Sequence, residues 1–199
     1  QGNAYLVAEA VLINGTDSDV VVRKLDPNGN QQWLKTWAGP GGSTDGAYSA
    51  VVTPAGRVVT TGITYSAATG YDVFTLSLNT NGVQQWSQIY AGAAPDYGFD
   101  VDVDANGNTA VAGETITTGG FTVGLILYYD PAGNPVWSST VYNPVWALAC
   151  STGGIKFDSA GNLLTSSIVW SGPSHGYDSW ISKWSPVGAE LWRYIYDSP

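Results

Sequence analysis

The chain has 199 residues, with 16 acidic against 7 basic side chains and a net charge of -9, so its surface repels nucleic-acid phosphates and anionic membranes. Its 44% hydrophobic and 12% charged content is that of a folded domain rather than a disordered one. Glycine (25), tryptophan (9) and tyrosine (12) are abundant and methionine is absent, which suits short strands and tight turns and does not favour helix. No stretch nears the roughly 18 apolar residues of a membrane helix, and the longest apolar strand, around Leu125–Tyr129, is short enough to be buried sheet.

In chain order, the sequence opens at Gln1-Gly2-Asn3 without an initiator Met, as if processed or cut from a longer chain. Asn14-Gly15-Thr16 is the single N-glycosylation sequon and reads as a plain Asn-Gly turn. Val21-x-Arg23-x-Leu25 alternates as a half-buried strand, Asp26-Pro27-Asn28-Gly29 closes a hairpin, and Trp33 follows. The same phrase then returns three times. Phe74-x-Leu76-x-Leu78 precedes Gly82 and Trp86, Leu125-x-Leu127-x-Tyr129 precedes Gly133 and Trp137, and Trp180-x-Ser182-x-Trp184 precedes Gly188 and Trp192. The glycines recur at intervals of 53, 51 and 55 residues, and a second series, Gly2, Gly56, Gly107 and Gly161, runs in step with them.

Asp-x-x-Gly loops of this kind predict hairpins: Asp accepts backbone amides on the way in, and Gly supplies the positive φ that ends a type I turn with a bulge. The position shared by Ala8, Gly62, Gly113 and Ser167 is small in every repeat, which predicts a close approach of backbones or of a large ring. Each repeat holds four strands, like Phe99–Asp104, Thr109–Gly113, Asp72–Leu78 and Val83–Tyr90. Four-stranded sheets repeating near 50 residues predict an all-β fold, a β-propeller of four antiparallel blades, since such a sheet needs a neighbour on each face. The chain reads as one domain, 1–199, with repeats of approximately 1–53, 54–104, 105–158 and 159–199.

These residues resemble the bacterial secreted β-propeller repeats known as SBBP repeats, with their D-x-x-G-N, G-x-D and K-x-D-x-x-G-x-x-x-W patterns. The resemblance runs through Asp104-Ala105-Asn106-Gly107-Asn108, Gly70-Tyr71-Asp72, Gly176-Tyr177-Asp178 and Lys24-Leu25-Asp26 to Gly29, Trp33 and Trp37, with Tyr90 and Tyr196 in the final aromatic position. The third repeat departs from it: Val123 replaces the strand-opening Asp and an insertion follows at 143–150, so that blade is expected to be distorted. The resemblance implies an extracellular or cell-surface setting and brings no catalytic residues. If the strand order is also that of related propellers, the first blade lacks its inner strand. The chain is then part of a larger ring, one of a pair forming a ring, or the acceptor of a strand from another molecule.

Chemistry-bearing residues are few. Asp102-Val103-Asp104-Ala105-Asn106-Gly107 offers half of a calcium loop through Asp102, Asp104 and Asn106, but Ala110 and Gly113 stand where further oxygen ligands belong, and hairpin capping is the competing reading. His175, the single histidine, lies in a Gly-Pro-Ser-His-Gly loop, and the single Cys150 reads as a structural thiol. The recurring tryptophans read as blade packing; Trp146 and Trp170 fall outside the phase and are candidates for stacking on a sugar, with His175 beside them as a loop ligand. Asp45, Asp96, Asp100 and Glu114 could pair as glycosidase carboxylates only if the fold brings them together, and Asp45 and Asp96 share a phase that points to strand-end capping. No nucleophile, zinc or phosphate-loop motif is present. The expectation is a non-catalytic structural or interaction module without a resident cofactor. Protein partners or self-association come first, a calcium-assisted lectin is the alternative and an extracellular glycosidase or lyase the third reading.

Overall fold

The computed structural model describes residues 2–11, 17–145, 150–174 and 176–196. Among them the chain forms fifteen strands in four antiparallel meanders and no helix. The first sheet has three strands, β1 (Ala4–Val11), β2 (Ser18–Leu25) and β3 (Gln31–Trp37). The second runs β4 (Asp45–Val52), β5 (Val58–Ser66), β6 (Gly70–Leu78) and β7 (Gln84–Tyr90). The third runs β8 (Asp96–Val103), β9 (Thr109–Ile116), β10 (Thr122–Tyr129) and β11 (Pro135–Val141), and the fourth β12 (Cys150–Phe157), β13 (Leu163–Trp170), β14 (Tyr177–Trp184) and β15 (Glu190–Tyr196). Strand order follows chain order in every sheet. The sheets stack in sequence as four propeller blades, and the array does not close on itself. The first blade lacks the strand that β4, β8 and β12 supply in the others.

Local chemistry sets the strand spacing. In the hairpin after β2, Gly29 N donates to Asp26 O at 3.0 Å and Asp26 N to Asn30 O at 2.9 Å, and the same pair of bonds recurs around Gly56, Gly82, Gly107, Gly133, Gly161 and Gly188. These glycines hold φ between 76° and 91°, a region closed to most side chains. Where Asp opens the loop, one carboxylate oxygen takes the next two available amides: Asn28 and Asn30 onto Asp26, Asn106 and Asn108 onto Asp104.

The extra residue in the turn shifts the register of the outer pair at one place in every blade, between Lys24/Leu25, Ser77/Leu78, Tyr128/Tyr129 and Lys183/Trp184. A second bulge lies in the inner strands, between Ala47/Ser49, Gly98/Asp100 and Thr152/Gly154. It accounts for the glycine at the small position in the second and third blades, while in the fourth Ser167 fits there and its hydroxyl pairs with that of Thr152. A Cβ on Gly62 would collide with the Gly46 carbonyl, and one on Gly113 with the Tyr97 carbonyl. Ala8 faces no such strand, because the first blade has none there.

Three cores lie between the sheets. Val20, Val22 and Trp37 of the first blade meet Val58, Phe74 and Leu76 of the second, where Trp37 stacks on Phe74 with centroids 4.7 Å apart. Val59, Val73 and Trp86 then meet Val111, Leu125 and Leu127, and Ala112, Ile126 and Tyr128 meet Leu163, Trp180 and Trp184. Each middle strand therefore points alternate residues at opposite neighbours, which is why β6 and β10 are buried almost throughout. The third blade pairs as regularly as the second; Val123 is buried and replaces the acid with an apolar contact.

Candidate interaction surfaces

The inner strand of the third blade, β8, carries two acids that reach its neighbours. Asp100, at the bulge of β8, accepts from the Ser49 hydroxyl of the second blade at 2.8 Å and from the Ile155 amide of the fourth at 3.1 Å. Asp102, two residues on and on the same side of the strand, accepts from the Phe157 amide at 2.8 Å, and the Lys156 ammonium lies 3.7 and 3.8 Å from the two carboxylates. A carboxylate here satisfies backbone donors of the bulged neighbouring strand and ties three blades together.

Asp102, Asp104 and Asn106, the residues of the candidate calcium loop, do line one hollow of about 410 Å³ with Phe157, Asp158 and Gly161. The carboxylate oxygens of Asp102 and Asp104 already face donors. Asp104 takes the amides of Asn106 and Asn108 on one oxygen and the Asn108 side chain, at 2.7 Å, on the other. Asp26, Asp130 and Asp158 hold the same bonds in loops without the D-x-D pattern. Asn134 and Asn30 hold Asp130 and Asp26 below the ordinary carboxylate range, and Lys183, whose ammonium stands 2.8 Å away, does so more strongly for Asp158. Among the described residues no three His, Cys, Asp or Glu side chains gather as a metal site.

Asp45 and Asp96 occupy equivalent positions at the start of β4 and β8. Each is fully buried and accepts a glycine amide from the preceding linker, Gly39 at 2.6 Å for Asp45 and Gly92 for Asp96. Burial pushes both carboxyls up, and pushes Glu114 up as well. They latch the crossing from one blade to the next, with Asp45 at the first crossing and Asp96 at the second.

Trp170 ends β13 and meets Tyr177 edge to face, with ring centroids 5.0 Å apart. Trp146 and His175 lie outside the described residues, as does Asn14. Cys150 begins β12.

The sequence reading missed the open face of the fourth blade. The β15 strand is exposed along most of its length, and Ile168, Ile181, Trp192, Tyr194 and Tyr196 stand on the side turned away from the third blade. Trp192 is 46% exposed where Trp86, its counterpart, is 9%. At the other end Leu6 and Leu34 of the first blade are likewise exposed on the side away from the second. Trp192 was read with its series as blade packing, and only the stacking of the sheets shows that no blade of the described residues stands opposite it.

No family model matches the chain, and no curated protein matches it in sequence. Its fold is similar to that of a protein of unknown function from Bacteroides caccae, at TM-score 0.54 and 13% identity over 90% of this chain and 57% of that one. It is also similar to a protein of unknown function from Dyadobacter fermentans, at TM-score 0.59 and 12% identity over 94% and 63%. The chain spans about three fifths of the length of these two structures. At such identities the likeness is one of fold.

Proposed function

We propose that this chain is a non-catalytic structural or interaction module of the secreted β-propeller repeat kind, working outside the cell by presenting loops, blade faces and strand edges on a rigid frame. The observation that carries this reading is the aromatic face of β13–β15, which stands open at the end of an otherwise tightly packed array. The acidic, lysine-poor composition and the D-x-x-G-N and K-x-D-x-x-G phrases support the extracellular setting and the repeat family.

A glycan-binding module is the second reading, favoured by the Trp170–Tyr177 pair at one end of the fourth blade, with Tyr177 exposed. A glycan array read with calcium and again with a chelator, beside turnover assays on a panel of polysaccharides, separates the readings. Neither retention nor turnover is expected. Retention lost in Trp170→Ala moves the assignment to the second reading, and turnover of any substrate overturns the non-catalytic one. Antibody labelling of intact source cells is expected to reach the chain, and labelling only after lysis would refute the extracellular placement.

A further inference from the structure

The three internal seams repeat one joint. A tryptophan on the outer strand of each blade lies flat against the hairpin glycine of the next: a Cβ added at Gly82 or Gly188 would come within 3.0 Å of the Trp33 or Trp137 ring, and one at Gly133 closer still to Trp86. Only glycine admits the ring. Two of the three also donate the indole N–H into that hairpin, Trp33 to the Thr80 carbonyl at 3.0 Å and Trp137 to the Pro186 carbonyl at 2.9 Å. Each knob is set by the same pairing just before the bulge, opposite Lys24, Ser77 and Tyr128.

Both halves of this joint stand unmatched at the two ends of the array. Trp192 is paired opposite Lys183 in the identical register, and its ring is half exposed. Gly29 holds φ 86° in a hairpin with the same bonds as the occupied sockets, and nothing lies within 4 Å of where its Cβ would be. The faces behind the joint also correspond. Ile168, Ile181 and Tyr194 are exposed on one, Leu6 and Leu34 on the other. Between Leu6 and Leu34 the pairing places Arg23, at the position of Leu76 and Leu127 in the repeat, and a guanidinium there is suited to stacking on an aromatic-rich face.

We propose that Trp192 of one copy seats on the Gly29 hairpin of a second copy, so that chains associate head to tail by a fourth use of the joint that holds their own blades together. A contact of this heterologous kind closes when the rotation allows, and two copies bring the count to eight blades, within the range of closed propellers. The seam differs from the internal ones at one place. The first blade has no inner strand, so the hollow of about 430 Å³ lined by Ile155, Leu164, Ser166 and Ile181 stays open beside the joint. This inference names the partner of the interaction module and rests on that reading, which the glycan and turnover assays test separately.

Light scattering coupled to size exclusion, run on the 199-residue chain from dilute to concentrated, is expected to show a species of twice the 20.9 kDa chain or a larger multiple. Trp192→Ala is expected to weaken association by roughly a hundredfold, the scale of a buried aromatic anchor. Leu34→Glu, on the socket face, should do the same. Mixing the two variants restores a two-chain species, because one keeps its socket and the other its knob. Circular dichroism melting checks that each variant is folded. A wild-type chain that stays monomeric throughout overturns the proposal, as does association that neither substitution weakens. Weakened variants that their mixture fails to rescue also overturn it, since they would place both surfaces in a contact that is not head to tail.

Discussion

The seam between the second and third blades and the open face of the fourth use equivalent strand positions in the same register, yet one is packed core and the other faces solvent. Trp86 and Trp192 are paired alike, follow the same hairpin and differ in whether a further blade stands opposite them. A residue's place in the repeat thus decides its direction, while burial comes from the neighbour. In repeat proteins stability resides largely in the interfaces between units, so the same substitution should cost very different amounts along this chain.

The largest contrast should come from truncating the two rings. Trp86→Ala is expected to cost about 3–5 kcal/mol through lost burial and the void left against Gly133 and Tyr129. Trp192→Ala should change the stability of the dilute chain by less than about 1 kcal/mol. Urea denaturation of both variants measures the difference, and equal losses would show that the fourth blade's face is covered within the single chain.

A smaller effect sharpens the comparison at the inner strands. Gly113→Ala presses a methyl into the Tyr97 carbonyl and should cost about 3 kcal/mol, since backbone on both sides has little room to give. The first blade already carries Ala8 at this position, and Ala8→Gly should shift stability by about 1 kcal/mol or less in the same assay. If Gly113→Ala proves neutral, the bulged inner strand is not what keeps this position small.

Asp100→Ala should follow, at about 2 kcal/mol, because it strands the Ile155 amide and the Ser49 hydroxyl. Asp100→Asn retains an acceptor and is expected to recover part of the loss. A thermal melt that does not distinguish the two variants from wild type would mean that the acids of β8 do not join the blades.

The smallest expected effect is a pH dependence. Asp45, Asp96 and Glu114 are pushed up by burial, so the folded chain binds their protons more tightly than the unfolded chain does. Their contribution to stability therefore grows as pH falls from neutral through the raised values towards the ordinary 3.8 and 4.5, and is constant below. Asp26, Asp130 and Asp158 act in the opposite sense: their contribution is present above 3.8 and is lost as pH falls through their lowered values. Between neutral pH and about 4 the buried set should dominate, and the Asp45→Asn/Asp96→Asn double variant should flatten the rise in denaturation midpoint. A wild-type midpoint that falls across that window would contradict this assignment.

The architecture was legible in the chain because it is written in local chemistry repeated four times. Asp and Gly at fixed spacing dictate the hairpins, alternation dictates which residues face a neighbour, and the period dictates four sheets; the missing inner strand of the first followed only from the strand order that the family resemblance implies. Those features need only a few consecutive residues to act. The candidate surfaces were legible in part: Asp102 and Asp104 do line one hollow and the turn amides cap Asp104 as its loop predicts, but sequence spacing could not show that Phe157 and Lys156 occupy the oxygens of Asp102. That depends on residues some fifty positions away. Tertiary structure alone decided that the recurring tryptophans are knobs for the next blade's glycine, that Asp100 joins three blades, and that Trp192 and Gly29 meet no blade among the described residues. The physical reason is that a strand's own sequence sets where its side chains point, while only the packing of whole sheets determines what, if anything, they meet.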